Sequence, residues 1–563
     1  MTRTIKEVFI AYESGHVDEA CEQAGRGATI VCLNFLVGRM LDKKKIPYIP
    51  LPDIIEADSK EEVAWWELSH RIASEWYRLP AMKFFEYEGI AIAEPPDPTV
   101  HTYLSRLFYY VWVYDALAKK YPDAFFHIPA PEITRAATSY GLAHFIAWSS
   151  VDGARMARLR STARGTRPAA GTLFIRPTWK DVLTRAYNVF MRLLPPRALT
   201  IYASAYWMHG ESVIDRMDDT ALVLLESTRR NDMSWSFLFK RRVRFRHSQD
   251  PVSIAEERIA RKIAEAFREP WGSARKVVAA YLANIRKEYD WSPVLEMCDE
   301  LIAYAPRVIA DIRTLRRAMK EEKPDVVLDM ASVGGPQHYF FLLARVAQAC
   351  GIPTLELQHA TATIDPRSVF SRIETDYLAT YGVDVNRWHE KIGQPSEKLI
   401  PVGSPRFDQY VNEHDKGVAE GKRLFRTFGL DVTRPVLFAV VPYSDVYVGT
   451  LDSYQSATFF ETIRLVQESV PGLQVVFKFR SRNHIGGMRD YVAELFPTDT
   501  AIASDEDIFA LLCASDATVC NNSTVLYQAV LAKKPLILYP WKAHDHYHAQ
   551  VYASDIPLFY YGA

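Results

Sequence analysis

Short apolar runs alternate with longer amphipathic segments through the first quarter of the chain. The runs at 8–12, 29–33, 124–128 and 142–148 are rich in β-branched and aromatic residues, as buried strands are. Between them, 62–77 and 103–119 carry helical periodicity. Strand, helix, strand in this rhythm predicts a parallel sheet wound with crossover helices. The middle of the chain reads differently. A helical face formed by Leu183, Tyr187, Phe190, Met191 and Leu194 is closed by Pro195 and Pro196, and long helical patterns cover 254–288 and 294–319. After Pro324 the strand–helix rhythm returns, with strands expected at 325–330, 354–359, 377–381 and 399–402 and a helix at 337–350. A polar stretch at 412–423 precedes a new series of strands that starts at 436.

These patterns predict an α/β chain with an N-terminal Rossmann-like domain over 1–415, a helical and basic insertion at about 154–322, and a C-terminal Rossmann-like domain over 416–563. A length of 563 residues requires more than one core. Net charge of −1 gives no general reason to expect a nucleic-acid partner. The six cysteines form no C-x-x-C pair and several lie in apolar runs, which fits buried thiols in a reducing compartment. The N-terminal residues lack the apolar core of a signal peptide, and no run of about eighteen apolar residues occurs. The expected location is therefore cytoplasmic.

Local charge is less even. Between 154 and 180 there is no acidic residue, whereas Arg155, Arg158, Arg160, Arg164, Arg167 and Arg176 accumulate, and 240–247 adds a second basic cluster. Basic charge beside an apolar helical stripe has the form of an interfacial helix, so 154–197 is a candidate contact with an anionic membrane surface. Burial of the stripe against the main sheet, or binding of an anionic glycan, are the alternatives.

The chemistry-bearing residues cluster where strands end. A buried strand at 517–520 runs into Asn521, Asn522, Ser523 and Thr524, which open a helix ending near Lys533. Small polar residues at such a junction leave backbone N–H groups and hydroxyls for a phosphate or diphosphate, although Ser and Thr there also serve as plain caps. Lys478, Arg480 and Arg482 alternate at the exit of the strand at 474–477 and can converge on the same anion. Ser404 and Arg406 follow Gly403 after another strand; Arg406 is suited to holding a carboxylate or phosphate, or to pairing with Asp408. His359 ends a strand of the expected parallel sheet, where an imidazole can accept a proton or stabilise a leaving phosphate. Glu13 follows the first strand and is either a general base or a helix cap. His338 ranks lower, and the His544, His546, His548 tract reads as a loop rather than a metal site. No Walker loop, G-x-S-x-G or G-x-G-x-x-G occurs.

The succession of 351–359, 402–408 and 516–539 resembles the two-domain GT-B glycosyltransferases of bacterial surface polysaccharides, of capsule and lipopolysaccharide type. CDP-glycerol glycerophosphotransferase-like enzymes are the nearest in kind, and UDP-N-acetylglucosamine 2-epimerases share the architecture. The resemblance implies two Rossmann-like domains facing a cleft. It implies a nucleotide-sugar donor held by Ser404, Arg406, Lys478, Arg480, Asn522, Ser523 and Thr524, and a glycan or glycolipid acceptor activated by His359 or Glu13. It also implies metal-independent transfer with no cofactor. The chain departs from the pattern at Ala360, at Gln528 and in lacking His-Pro after Lys478. The expected function is therefore a glycosyltransferase; the alternatives are a nucleotide-sugar 2-epimerase-type isomerase or a non-catalytic scaffold. Sparse acidic residues near the C-terminal motifs speak against the isomerase. Such folds usually close with a helix after the last strand, so the chain is expected to continue beyond 563 in a longer protein or to lack that helix.

Overall fold

The computed structural model describes residues 7–56, 60–94, 97–127, 179–204, 211–224, 234–246, 252–287, 289, 291–329, 338–358, 372–441, 450–479, 487–520, 523–539 and 559–561. Three parallel sheets carry the architecture. The first comprises β1 (Glu7–Ala11), β2 (Thr29–Cys32), β3 (Ile49–Pro50) and, after a small antiparallel hairpin of β4 (Glu86–Tyr87) and β5 (Ile90–Ala91), β6 (Phe125–His127). Its order is β3-β2-β1-β6. The second holds β7 (Leu199–Ala203), β8 (Thr220–Leu224), β9 (Arg244–Phe245), β10 (Val326–Asp329), β11 (Thr354–Leu357), β12 (Tyr377–Thr380) and β13 (Leu399–Pro401), ordered β13-β12-β11-β10-β7-β8-β9. The third holds β14 (Val436–Val440), β15 (Gln474–Lys478), β16 (Thr500–Ala503), β17 (Ala517–Cys520), β18 (Leu536–Leu538) and β19 (Phe559–Tyr561), ordered β16-β15-β14-β17-β18-β19.

Each sheet thus starts in the middle, grows to one side, and then reverses beside its first strand. This is the doubly wound order, whose reversal point opens a crevice at the carboxyl ends of the strands. The central strands are apolar throughout, as sheets covered on both faces require: β8 and β14 are buried at every position.

The chain divides into two compact units. One joins Met1–Trp66 and Ser105–Arg167 to Phe407–Ala563, and so contains the first and third sheets; the other takes Glu67–Leu104 and Pro168–Arg406, with the second sheet. The expectation of a helical insertion at 154–322 is corrected here, because β7, β8 and β9 come from that span. β7 and β8 are five-residue apolar runs set between helical patterns, and β9 is two residues long and begins with Arg244. The patterns at 254–288 and 294–319 form helices Ile254–Glu265, Arg268–Ile285 and Ser292–Glu322, while the strand expected at 142–148 and the basic run at 154–176 lie outside the described residues.

A buried carboxylate ties the edge of the second sheet to its helices. The Glu322 side chain is fully buried and accepts hydrogen bonds from Arg244 at 2.6 Å, from Arg246 at 2.7 Å and from Arg192. Burial alone would raise its pKa, but the guanidinium groups of Arg192, Arg246 and Arg244 outweigh that and hold it below the usual range. Removing one member of such a group strands the others' buried charge. The arrangement joins β9 to the Trp179–Leu193 helix and to the end of the Ser292–Glu322 helix.

The polar stretch at 412–423 forms most of a helix, His414–Thr427, packed on the helix Ile508–Ala514. Two glycines permit the approach: a Cβ at Gly421 would lie 2.1 Å from the Ala510 carbonyl oxygen and 2.5 Å from the Ala514 Cβ, and one at Gly417 would lie 2.7 Å from the Phe509 ring. Glycine to alanine in an open helix interior normally stabilises by about 1 kcal/mol. At Gly421 the sign is expected to reverse, with a loss of about 1–3 kcal/mol from overpacking. Urea unfolding of Gly421→Ala against wild type reads that sign directly.

Candidate functional site

Within the first unit, the carboxyl ends of the first and third sheets carry elements that touch. The helix Phe35–Lys43 follows β2, the helix Thr450–Ser469 follows β14, and the helix Met488–Leu495 follows β15. The Tyr454 hydroxyl donates to the Cys32 carbonyl at 2.9 Å, and the Phe35 N–H donates to Ser453 Oγ at 3.0 Å. The Phe35 ring packs edge-on to Tyr491, with centroids 5.0 Å apart, and Leu36 lies against Gly487. Arg39 stacks over the Tyr491 ring at 4.5 Å and pairs with Glu494. Aromatic packing and a charge-assisted pair thus surround two hydrogen bonds that are largely shielded from water.

The reversal point of the third sheet lies between β14 and β17, paired in register from Leu437↔Ala517 to Ala439↔Val519. After β17 come Ser523 and Thr524, then the helix Val525–Leu531. Ser523 Oγ accepts the Val525 N–H at 3.4 Å, whereas Thr524 makes no side-chain cap bond. The topology therefore brings these hydroxyls to the reversal point. Lys478 ends β15 on the opposite side of β14, two strand spacings or roughly 10 Å away along the same edge. Its ammonium is already engaged, donating to the Glu506 carbonyl at 2.9 Å and to the Ser504 carbonyl. Burial lowers its pKa, against the opposing charges of Glu506, Asp505 and Asp507. Lys478 therefore fastens β15 to the turn after β16, and one of its three N–H donors is left over among the described residues.

That turn also revises the expectation of few acidic residues near these motifs: Asp505, Glu506 and Asp507 all lie close to Lys478. Two of them have local tasks. Glu506 accepts the Ser504 N–H at 2.6 Å, and Asp507 caps the Ile508–Ala514 helix by accepting from the Phe509 N–H at 3.0 Å.

Glu13 stands at the corresponding reversal point of the first sheet, between β1 and β6. The N-cap of the following helix is Gly15, with no side-chain cap bond, so Glu13 is not its side-chain cap. His16 was overlooked in the sequence. It is 3% exposed, its ring meets Tyr12 edge-on at 4.3 Å, and its Nδ1 accepts the Glu13 N–H at 3.3 Å. An accepting Nδ1 puts the proton of the neutral ring on Nε2, which lies 3.9 Å from the Glu13 carboxylate. That separation is longer than a hydrogen bond, so the imidazole stands beside the carboxylate without sharing a proton with it.

The second unit holds the remaining described candidates. Gly403, at φ +74°, turns the chain after β13, and its N–H and that of Val402 both bond to the Thr380 carbonyl at 3.1 Å. Ser404 and Arg406 are half-buried beyond this turn, and Arg406 sits near Tyr381, whose hydroxyl burial pushes up to about 12. The reversal point of the second sheet adds a pair that the sequence reading passed over: Ser204 donates to Asp329 at 2.6 Å, both buried, at the ends of β7 and β10. An aspartate closing an otherwise apolar strand was the available signal. His359, Arg480 and Asn522 lie outside the described residues, as do His338's loop neighbours at 331–337. Among the described residues no group of His, Cys, Asp and Glu has the makings of a metal site. A concavity of about 530 Å³ beside Tyr410, His414 and Lys533 lies past the end of the Val525–Leu531 helix, away from the Ser523 end.

No protein-family model matches the chain, and no curated protein matches it. Solved structures show partial likeness. The UDP-GlcNAc 2-epimerase of Neisseria meningitidis bound to UDP-GlcNAc is 13% identical, with a TM-score of 0.37 over 60% of this chain and 81% of that one. The UDP-GlcNAc 2-epimerase of Methanocaldococcus jannaschii is 10% identical, with a TM-score of 0.39 over 65% and 88%. Anabaena Alr3699/HepE in complex with UDP-glucose is 10% identical, with a TM-score of 0.34 over 60% and 80%. Likeness at this level leaves the strand order and the side-chain geometry as the basis for a functional reading.

Lys478→Met removes a charged donor from two buried-side carbonyls and is expected to cost about 2 kcal/mol of stability, with or without any ligand. Urea unfolding measures it; an unchanged midpoint would mean that the ammonium is free to serve a ligand.

Proposed function

We propose that this protein is an enzyme acting on a nucleotide-activated sugar, whose diphosphate lies at the reversal point between β14 and β17. The observation that supports this most is the placement of Ser523 and Thr524 at the carboxyl edge where a doubly wound sheet changes direction. Asn522, which directly precedes Ser523 in the sequence, and Arg480, two residues after Lys478, would complete the anion site.

The proposed reaction is metal-independent transfer of the sugar to a hydroxyl of a surface-polysaccharide or glycolipid acceptor. Glu13, with His16 behind it, would take the acceptor proton as the hydroxyl oxygen bonds to the anomeric carbon. The bond from that carbon to the nucleotide phosphate breaks, and the released charge is met by N–H, hydroxyl and guanidinium donors. His359 is the other candidate base. Isomerisation of the nucleotide sugar is the second reading. It is the activity that two of the structures named above carry in their names, and the acidic turn 505–507 removes the objection that carboxylates are scarce there.

Thermal unfolding with UDP, CMP, CDP, GDP, ADP and phosphoribosyl diphosphate tests the common part of both readings. One nucleotide is expected to raise the midpoint by several degrees in wild type, since ligand at a hundredfold its Kd adds about 2.7 kcal/mol. The shift should shrink in a Ser523→Ala, Thr524→Ala double variant. No shift with any nucleotide would leave the scaffold reading. With the matching nucleotide sugar, an epimer formed without acceptor identifies the isomerase, and nucleotide released only with acceptor identifies the transferase.

A further inference from the structure

Two residues of the apolar stripe expected on the Trp179–Leu193 helix, Leu183 and Phe190, are exposed, and the face that is buried is partly polar. Its inner face buries Thr184, Asn188 and Met191, and Asn188 exchanges hydrogen bonds with the Phe245 backbone at 2.8 and 3.0 Å. On the outer face Trp179, Val182, Leu183, Val189, Phe190 and Leu193 recur at helical spacing and are exposed, Trp179 by 68% and Leu193 by 79%. The short helix Trp235–Lys240 extends this face. Its Phe239 ring lies edge-on to Phe190 at 6.2 Å and 6.3 Å from Trp235, which is itself 65% exposed. Scattered exposed apolar residues need no explanation, but a contiguous patch joining two helices marks a contact surface.

The charge around the patch identifies the partner. Arg185 is exposed on the helical rim beside Val189, and Lys240 is exposed at the end of the second helix, 4.0 Å from the Asp218 carboxylate. The sequence leading into the patch, 154–180, carries six arginines and no acid. Asp181 and Asp218 also stand near the patch, so the basic excess comes from the arginine-rich run before the helix; aromatic and aliphatic side chains beside such an excess match the boundary between anionic headgroups and acyl chains. A helix of fifteen residues is about 22 Å long, too short to cross a bilayer, and lies in its plane instead. A symmetric contact between two copies would set the basic rims against each other, which disfavours self-association.

We propose that the face formed by the Trp179–Leu193 and Trp235–Lys240 helices docks the protein on an anionic phospholipid bilayer. The docking is independent of which reaction the enzyme performs. Glu322 supports it from within, since Arg192 of the outer helix is held there and the helix stays in place while its apolar face inserts.

Flotation of the full chain with lipid vesicles tests this. The protein is expected to float with vesicles of phosphatidylglycerol and phosphatidylcholine, much less with phosphatidylcholine alone, and to be partly released by salt. Phe190→Glu with Leu193→Glu should lower the bound fraction at least about tenfold with an unchanged unfolding midpoint, and Phe190→Leu should preserve binding. Absence of flotation in wild type would overturn the proposal, as would equal flotation on neutral and anionic vesicles or equal flotation of the charged variant. A concentration-dependent dimer abolished by the charged variant, without vesicle binding, would overturn it in favour of a second copy.

Discussion

The contact between Cys32–Phe35 and Ser453–Tyr454 governs what the first unit can do. Two hydrogen bonds, flanked by the Phe35 and Tyr491 rings and the Arg39–Glu494 pair, join elements that begin at the carboxyl ends of β2, β14 and β15. Residues separated by more than four hundred positions meet there. The carboxyl edge of a parallel sheet is where its loops carry function. Holding two such edges in one unit places the Glu13–His16 pair and the Ser523–Thr524 junction in the same compact body.

Strand order supplies the second constraint. Because every strand in the three large sheets runs parallel to its neighbours, all carboxyl ends of a sheet share one edge, and the reversal beside the first strand leaves a gap there. Polar side chains found at the three reversal points include Glu13, the Ser204–Asp329 pair and Ser523–Thr524. Elsewhere polar groups serve attachment. Glu322 gathers three arginines at the edge of the second sheet, and Lys478 closes the turn after β16.

Much of this was legible in the sequence because buried parallel strands are continuous apolar runs. β1, β2, β14, β15 and β17 stand where such runs do. β9 was not legible: it is two residues long and contains Arg244, whose burial Glu322 compensates. The apolar stripe of the Trp179–Leu193 helix was legible in Leu183 and Phe190, but not that these face outward, because the face that is buried includes the polar Thr184 and Asn188. Residue type singled out Ser523, Thr524 and Lys478 alike, but the backbone carbonyls that Lys478 meets leave no trace in side-chain composition. His16 and Asp329 became candidates only once pairing placed them at reversal points.

Hydrogen–deuterium exchange with and without the nucleotide that binds tests the central claim most directly. The account predicts slower exchange in peptides covering 517–531 and the end of β14, with the second sheet unchanged. Protection confined to the ends of β7 and β10 around Ser204 and Asp329, with 517–531 unaffected, would contradict it.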